Sequence, residues 1–256
     1  MSFNKMLRDL KHEGPVTSRL TLWLGQHSEL VLSDEHADLL RANVVATPRV
    51  RSASFSSSSR GSCERAQVFG YLGLPQAGRM NPQLQLIFLD GHWRHHRWQM
   101  LLLTAGILTR VETPWSRDDL RLKGSLDGVN DEEKWGFELK GISPFGYKAV
   151  QIVPKYEHLL QIHTYMLGTG LDLFSLVYEN KATQEWTEHV ITKDEKVMSD
   201  VMDELQTLNE AIDQQELPGM LTECMEATRH DCPYRETCSG LSWDQAVNLT
   251  KRDASS

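Results

Sequence analysis

From residue 121 to residue 142 the chain reads RLKGSLDGV, then NDEEK, then WGFELKGI. Two short runs with apolar residues at alternate positions flank a polar, turn-forming stretch, the pattern of an antiparallel hairpin. A hairpin with one apolar face is not stable alone and needs further strands or helices packed on it. The remaining sequence supplies both. Strands are expected at 173–180 (LFSLVYEN) and 185–192 (EWTEHVIT), joined by the tight turn Lys181-ATQ. Helices are expected over 5–13, 17–27, 34–44, 64–72, 83–104, 154–167 and 194–216, the last stopped by Pro218-Gly219. Helices flanking a small mixed sheet make an α/β or α+β domain. The Ser-rich stretch from Ser52 to Ser62 reads as a loop. It divides an N-terminal helical segment (1–50) from the main domain (51–245), and residues 246–256 are expected as a flexible tail.

The hairpin also carries the sharpest chemistry. Side chains alternate faces along a strand, so Glu138 and Lys140 point the same way. Asp127 lies on the partner strand, within reach of both. Two carboxylates can hold a hard divalent cation that keeps several waters. A neighbouring amine can orient or deprotonate one of those waters for attack on phosphorus. The same residues would equally suit an exposed face with a stabilising cross-strand pair.

Two helical stripes accompany the hairpin. In Gly91-HWRHHRWQ the residues His92, His95, His96 and Gln99 are spaced i, i+3, i+4, i+7 and so share a face. Imidazole is a good ligand for manganese-like metals, although Arg94 and Arg97 beside them also suit a solvated basic face. Gln161 and Tyr165 are four apart, with His158 one turn earlier, and such a pair can hydrogen-bond phosphate oxygens without bearing charge.

Four cysteines occur, Cys63, Cys224, Cys232 and Cys238, the last three within fifteen residues. In a reducing compartment clustered thiols are better read as metal ligands than as disulfides. The formal net charge of −8 argues against a surface coated for phosphate binding but leaves room for a local basic track. No apolar run reaches membrane-spanning length, and the charged N-terminus lacks a signal-peptide core. A soluble, cytoplasmic protein with no membrane partner is expected.

Taken in order, these elements resemble the RecB-like branch of the PD-(D/E)xK nuclease superfamily. That branch runs G-x-x-x-H on a helix, an Asp on a strand, E-x-K on the next strand and Q-x-x-x-Y on a helix. Gly91 and His95, Asp127, Glu138 and Lys140, and Gln161 and Tyr165 match in turn, within a span of residues 60 to 240. The resemblance implies a restriction-endonuclease-like core and metal-dependent hydrolysis of DNA, commonly exonuclease action on single-stranded ends. It implies that His95, Asp127, Glu138 and the Leu139 carbonyl hold Mg²⁺ or Mn²⁺. Lys140 would position or activate water, and Gln161 and Tyr165 would steady the strand. Arg65, Lys148 and Lys155 are candidates for DNA backbone contacts, and Trp135, Phe145 and Tyr147 for stacking on unpaired bases.

An iron–sulfur subgroup, including CRISPR-associated adaptation nucleases and the AddB subunit of bacterial repair nucleases, places one cysteine before the core and three after it. Cys63 resembles the first, and Cys232 with Cys238 reproduces the subgroup's C-x5-C half. Cys224 precedes Cys232 by a longer gap than the subgroup has, so the fourth ligand is Cys224 or His230. A 4Fe–4S cluster is expected, with zinc as the alternative. The competing expectation is a scaffold or DNA-binding subunit that no longer cuts, within a recombination or CRISPR-adaptation complex. Protein partners or a homo-oligomer fit either reading.

Overall fold

A computed structural model describes residues 14–27, 29, 31–44, 53–76, 82–225 and 232–253. The helix expected over 5–13 lies outside them. At the centre is a mixed six-stranded sheet in the order β1-β3-β4-β5-β6, with β2 paired to the other edge of β3. The strands are β1 (Phe55–Ser56), β2 (Arg110–Arg117), β3 (Leu122–Asn130), β4 (Trp135–Ile142), β5 (Leu173–Asn180) and β6 (Trp186–Thr192). The β3–β4 hairpin forms as the alternation requires, with Gly128 opposite Phe137 and Asn130 opposite Trp135. β4 and β5 run parallel from Gly136↔Phe174 to Ile142↔Asn180. A parallel pair needs a crossover, here made by helices α5 (Pro144–Val150) and α6 (Tyr156–Thr169).

Helices cover both faces, which is why β4 and β5 are buried along most of their length. On one face α1 (Pro15–Gln26) and α4 (Pro82–Thr104) pack Val16, Leu20, Trp98 and Leu102 against Phe137, Leu139 and Val177. On the other, α6 sets Ile162, Tyr165 and Met166 against Leu126, Leu176 and Tyr178. Next to α6, α7 (Glu195–Gln214) buries Val197, Val201, Leu205 and Leu208, a stripe at helical spacing. Each such side chain contributes about 1.5–3 kcal/mol by leaving water.

The N-terminal helix belongs to this core. Glu188 of β6 is buried and accepts hydrogen bonds from the backbone N–H groups of Val16 (3.1 Å) and Thr17 (2.8 Å), and from the hydroxyls of Thr17 (2.7 Å) and Ser175. A carboxylate on a neighbouring strand thus caps the free N–H groups of the helix's first turn, where the helix dipole also favours negative charge. Gly14 precedes the helix because a Cβ there would lie 2.3 Å from the Glu188 carboxyl carbon.

Several elements differ from expectation. β2 was not expected: RVETPWSR alternates poorly and contains Pro114, which an edge strand tolerates because its free side needs no N–H. The Ser-rich stretch is part of the sheet, with β1 paired to β3 and a short 3₁₀ turn over Ser57–Ser59. Residues expected as a flexible tail form most of α10 (Trp243–Asp253). Its Ala246 is fully buried with Phe69 and Leu74, on and just after α3 (Glu64–Leu72), and with Tyr234, so an apolar patch and not a polar tail ends the described chain.

Candidate active site

The sheet opens at one position. Along one edge β3 is paired at its start by β1, at Leu122 and Lys123, and at its end by β4, from Gly128 onward. Between these partners the edge is free, and β3 and β4 splay apart. On the opposite edge β2 pairs Val111 with Gly128 and Thr113 with Leu126, but skips Glu112 opposite Asp127. Asp127 therefore sits outside the ladder on both sides, at the base of a fork.

Side chains take over the bonds that the ladder leaves. One Asp127 carboxylate oxygen accepts the Leu139 N–H of β4 at 2.8 Å, and the other lies 3.1 Å from His95 Nδ1 on α4. The Asp127 carbonyl accepts from Gln99 Nε2, one turn further along α4, at 3.0 Å. On β4, Glu138 and Lys140 share a face as alternation dictates, and Lys140 Nζ lies 2.7 Å from Glu138 Oε1. Gln161 of α6 closes the ring. Its carbonyl accepts from Lys140 Nζ (2.8 Å), and its amide donates to Glu138 Oε1 (2.9 Å) and to the Tyr165 hydroxyl (2.5 Å). Gln161 and Tyr165 are 5% and 3% exposed. They orient Glu138 and Lys140 from beneath and do not project from the surface.

Opposed charges set the protonation states. Burial disfavours the His95 cation, but Asp127 and Glu138 outweigh it and bring its pKa to about 9. Burial acts the other way on Asp127, yet His95, the Leu139 N–H and Lys140 hold it below the usual carboxylate range. Glu138 is pushed up to about 7, by burial first and the Asp127 charge second, with Lys140 opposing. Lys140 keeps its proton more tightly than a free lysine, because Glu138 and Asp127 overcome its burial. Burial and the same carboxylates raise the Tyr165 phenol well above its ordinary value.

One atom of this ring is unmatched. Glu138 is 2% exposed and its Oε2 has no hydrogen-bond partner. A buried carboxylate oxygen left alone costs free energy that a cation would recover. His95, Asp127 and Glu138 thus fit a divalent ion by ligand type, while among the described residues no three His, Cys, Asp or Glu side chains are already gathered tightly around one point.

The other expected residues divide. Lys148 and Lys155 are exposed, at the end of α5 and the start of α6, and Lys155 pairs with Glu157 at 3.3 Å. Phe145 is 96% exposed, whereas Trp135 and Tyr147 are core residues and offer no stacking surface. Arg65, expected at the DNA backbone, is turned inward. It is buried, and its guanidinium donates to the carbonyls of Pro218, Cys238 and Leu241, tying α3 to the chain's last segments. Beside it, burial raises the Cys238 thiol pKa; Arg65 opposes the rise, and Cys63 and Cys232 are near enough to add to it. Three of the four cysteines therefore share one neighbourhood. Cys224 is half-buried on the short helix Thr222–Met225, and His230 lies outside the described residues. Sequence reasoning missed Glu112, which no motif marks. It read the Ser-rich stretch as a loop and gave it no part in this site, yet its Ser57 reaches the Tyr165 hydroxyl.

No protein-family model matches the chain, and no curated protein matches it. Among solved structures, an alkaline exonuclease (LHK-Exo) from Laribacter hongkongensis is similar over 64% of this chain and 90% of its own, at 17% identity and a TM-score of 0.48. LHK-Exo in complex with dAMP matches over the same shares at 16% identity and 0.46. A phage related exonuclease from Haemophilus somnus is similar over 63% of this chain and 94% of its own, at 12% identity and 0.41.

Proposed function

We propose that this protein is a metal-dependent deoxyribonuclease of the PD-(D/E)xK type that removes nucleotides from DNA ends, single-stranded ends above all. The observation that carries the reading is the unmatched, buried Glu138 Oε2 in a ring that also holds Asp127, Lys140 and His95. Most buried polar atoms find a partner, and this bare one belongs to a carboxylate beside three further ionisable side chains. The complete carboxylate and lysine set also speaks against a scaffold that has lost its chemistry.

His95, Asp127, Glu138 and the Leu139 carbonyl would hold Mg²⁺ or Mn²⁺, which when bound supplies Lewis-acid stabilisation of the charge gathering on phosphorus. The protein's own groups do the rest. Lys140, kept protonated, orients the attacking water and faces the phosphoryl oxygens as they gain charge. The water oxygen bonds to phosphorus and passes one proton to solvent, the bond to the departing sugar oxygen breaks, and that oxygen takes a proton from solvent. Gln161 and Tyr165 fix Lys140 and Glu138 in register. Exposed Lys148 and Lys155 suit backbone phosphates, and exposed Phe145 suits stacking on an unpaired base.

Cys63, Cys232 and Cys238 with Cys224 would hold a 4Fe–4S cluster, a reading supported by the nearness of Cys63 and Cys232 to the Cys238 thiol. Anaerobically purified protein should then be brown, and stoichiometric zinc in a colourless sample would replace the cluster with the Cys/His alternative. Cutting is tested with labelled single-stranded DNA and Mn²⁺. Wild-type protein should shorten it and Lys140→Ala should not; undiminished digestion by that variant would show the assigned site to be wrong.

A further inference from the structure

We propose that the first half of α4, with α2 (Asp34–Val44) against that helix, is a docking surface for a second copy of this chain, the two copies pairing these helices about a two-fold axis. This goes beyond the nuclease reading, and its test reads molecular mass and not cutting, so the two ideas fail separately.

α4 is one helix of 23 residues, about 34 Å long, put to two uses. Its second half is core, with Trp98, Leu102 and Leu103 buried. Its first half is bare. Leu86, Ile87, Phe88 and Leu89 are consecutive and each is between 51% and 64% exposed, as is Trp93 one turn further on. Successive residues point about 100° apart around a helix, so these four girdle most of its circumference. A helix that is apolar on every side belongs in an interior. α2 packs against α4 but leaves this run uncovered. At every position whose burial is described α2 is itself exposed, except at His36.

Five large apolar side chains, each about half exposed, leave roughly 500 Å² of apolar surface on each copy, toward the upper end of what a protein that works alone presents. Joining two such surfaces removes roughly 1,000 Å² from water, the size at which specific interfaces begin.

The chemistry of the run selects its occupant. Residues 82–89, PQLQLIFL, have no ionisable side chain, the depletion of charge that marks the centre of a protein interface. DNA phosphates and anionic lipid headgroups call for Lys or Arg. This run has neither, and α2 carries Asp34, Glu35 and Asp38 against a single Arg41. Near a two-fold axis each residue meets its own counterpart, so a charged patch repels itself and an uncharged apolar one does not. A run exposed nearly all round also needs cover on more than one side. A second copy brings two helices, its own α2 and α4, and four helices can then share one apolar seam as in a bundle.

The test is sedimentation velocity of the protein over a wide range of concentration, without metal or DNA. The wild-type protein should sediment as a dimer. Ile87→Asp combined with Phe88→Asp should weaken that dimer at least about a hundredfold, because each change enters the interface twice, while the far-ultraviolet circular dichroism stays that of the wild type. If this variant folds poorly, Leu86→Gln combined with Leu89→Gln tests the same surface and should weaken the dimer at least about tenfold. A wild-type protein that is monomeric throughout overturns the proposal, and so does a dimer that a folded variant leaves at wild-type affinity. Monomer that floats with neutral lipid vesicles would also overturn it, giving the run to a membrane surface instead.

Discussion

Loading the fork with Mn²⁺ should release protons, and the number follows from the site's electrostatics. In the metal-free protein Glu138 titrates near 7 and His95 near 9, each displaced upward by its surroundings. Both must be deprotonated to act as ligands, so rising pH favours binding. Between pH 6 and pH 8 the loss of competition by the Glu138 proton raises apparent affinity roughly tenfold and that by the His95 proton roughly a hundredfold, together roughly a thousandfold. Isothermal titration in two buffers of different ionisation enthalpy counts the protons directly: about two per ion at pH 6 and about one at pH 8. His95→Gln should leave only the tenfold change. A rise smaller than tenfold in the wild-type protein, or no buffer-dependent heat, would refute the idea that these two groups face one ion.

Two further predictions concern stability. Glu188→Ala leaves the N–H groups of Val16 and Thr17 without their acceptor and should cost about 3 kcal/mol in urea unfolding, at about 1–3 kcal/mol per buried orphan donor; a loss below about 0.5 kcal/mol would show that α1 is held by its apolar face alone. The His158 pKa is lowered to about 3, first by burial and then by Lys140 and Lys155, while its Nδ1 bonds the Tyr178 hydroxyl at 2.8 Å. Because the unfolded chain takes up that proton near 6.5 and the folded one does not, this contribution is complete above pH 6.5 and drains away as pH falls toward 3. His158→Gln should flatten the decline in unfolding free energy between pH 7 and pH 4.5, and an unchanged slope would assign the acid sensitivity to other groups.

The hairpin, β5, β6 and the long helices were legible because each carries an unbroken period: alternation in WGFELKGI, a 3–4 spacing of apolar residues in α7. β2 was not, because its Glu112, in the left-handed region at φ +46°, and its Pro114 interrupt the alternation at the place where the ladder itself is interrupted. α10 was hidden for a different reason. Trp243 to Asp253 is polar on most positions, and only contact with Phe69, more than 170 residues earlier, makes Ala246 a core residue. At the site, residue types and order announced which side chains could meet. They did not announce that Gln161 and Tyr165 would be spent beneath Glu138 and Lys140, nor that Arg65 would face carbonyls; those outcomes depend on how deeply each helix settles on the sheet.

The reach from Glu188 to Val16 and Thr17 also sets a timetable. The first turn of α1 is made before the carboxylate that caps it, which lies 171 and 172 residues downstream. At roughly 5–20 residues per second of synthesis, that wait is on the order of 10–30 s. Until β4 and β5 have been made, Leu20 and Val16 have no sheet to cover. The first turn of α1 thus waits for its acceptor, and a single glutamate near the end of the sheet completes the cap.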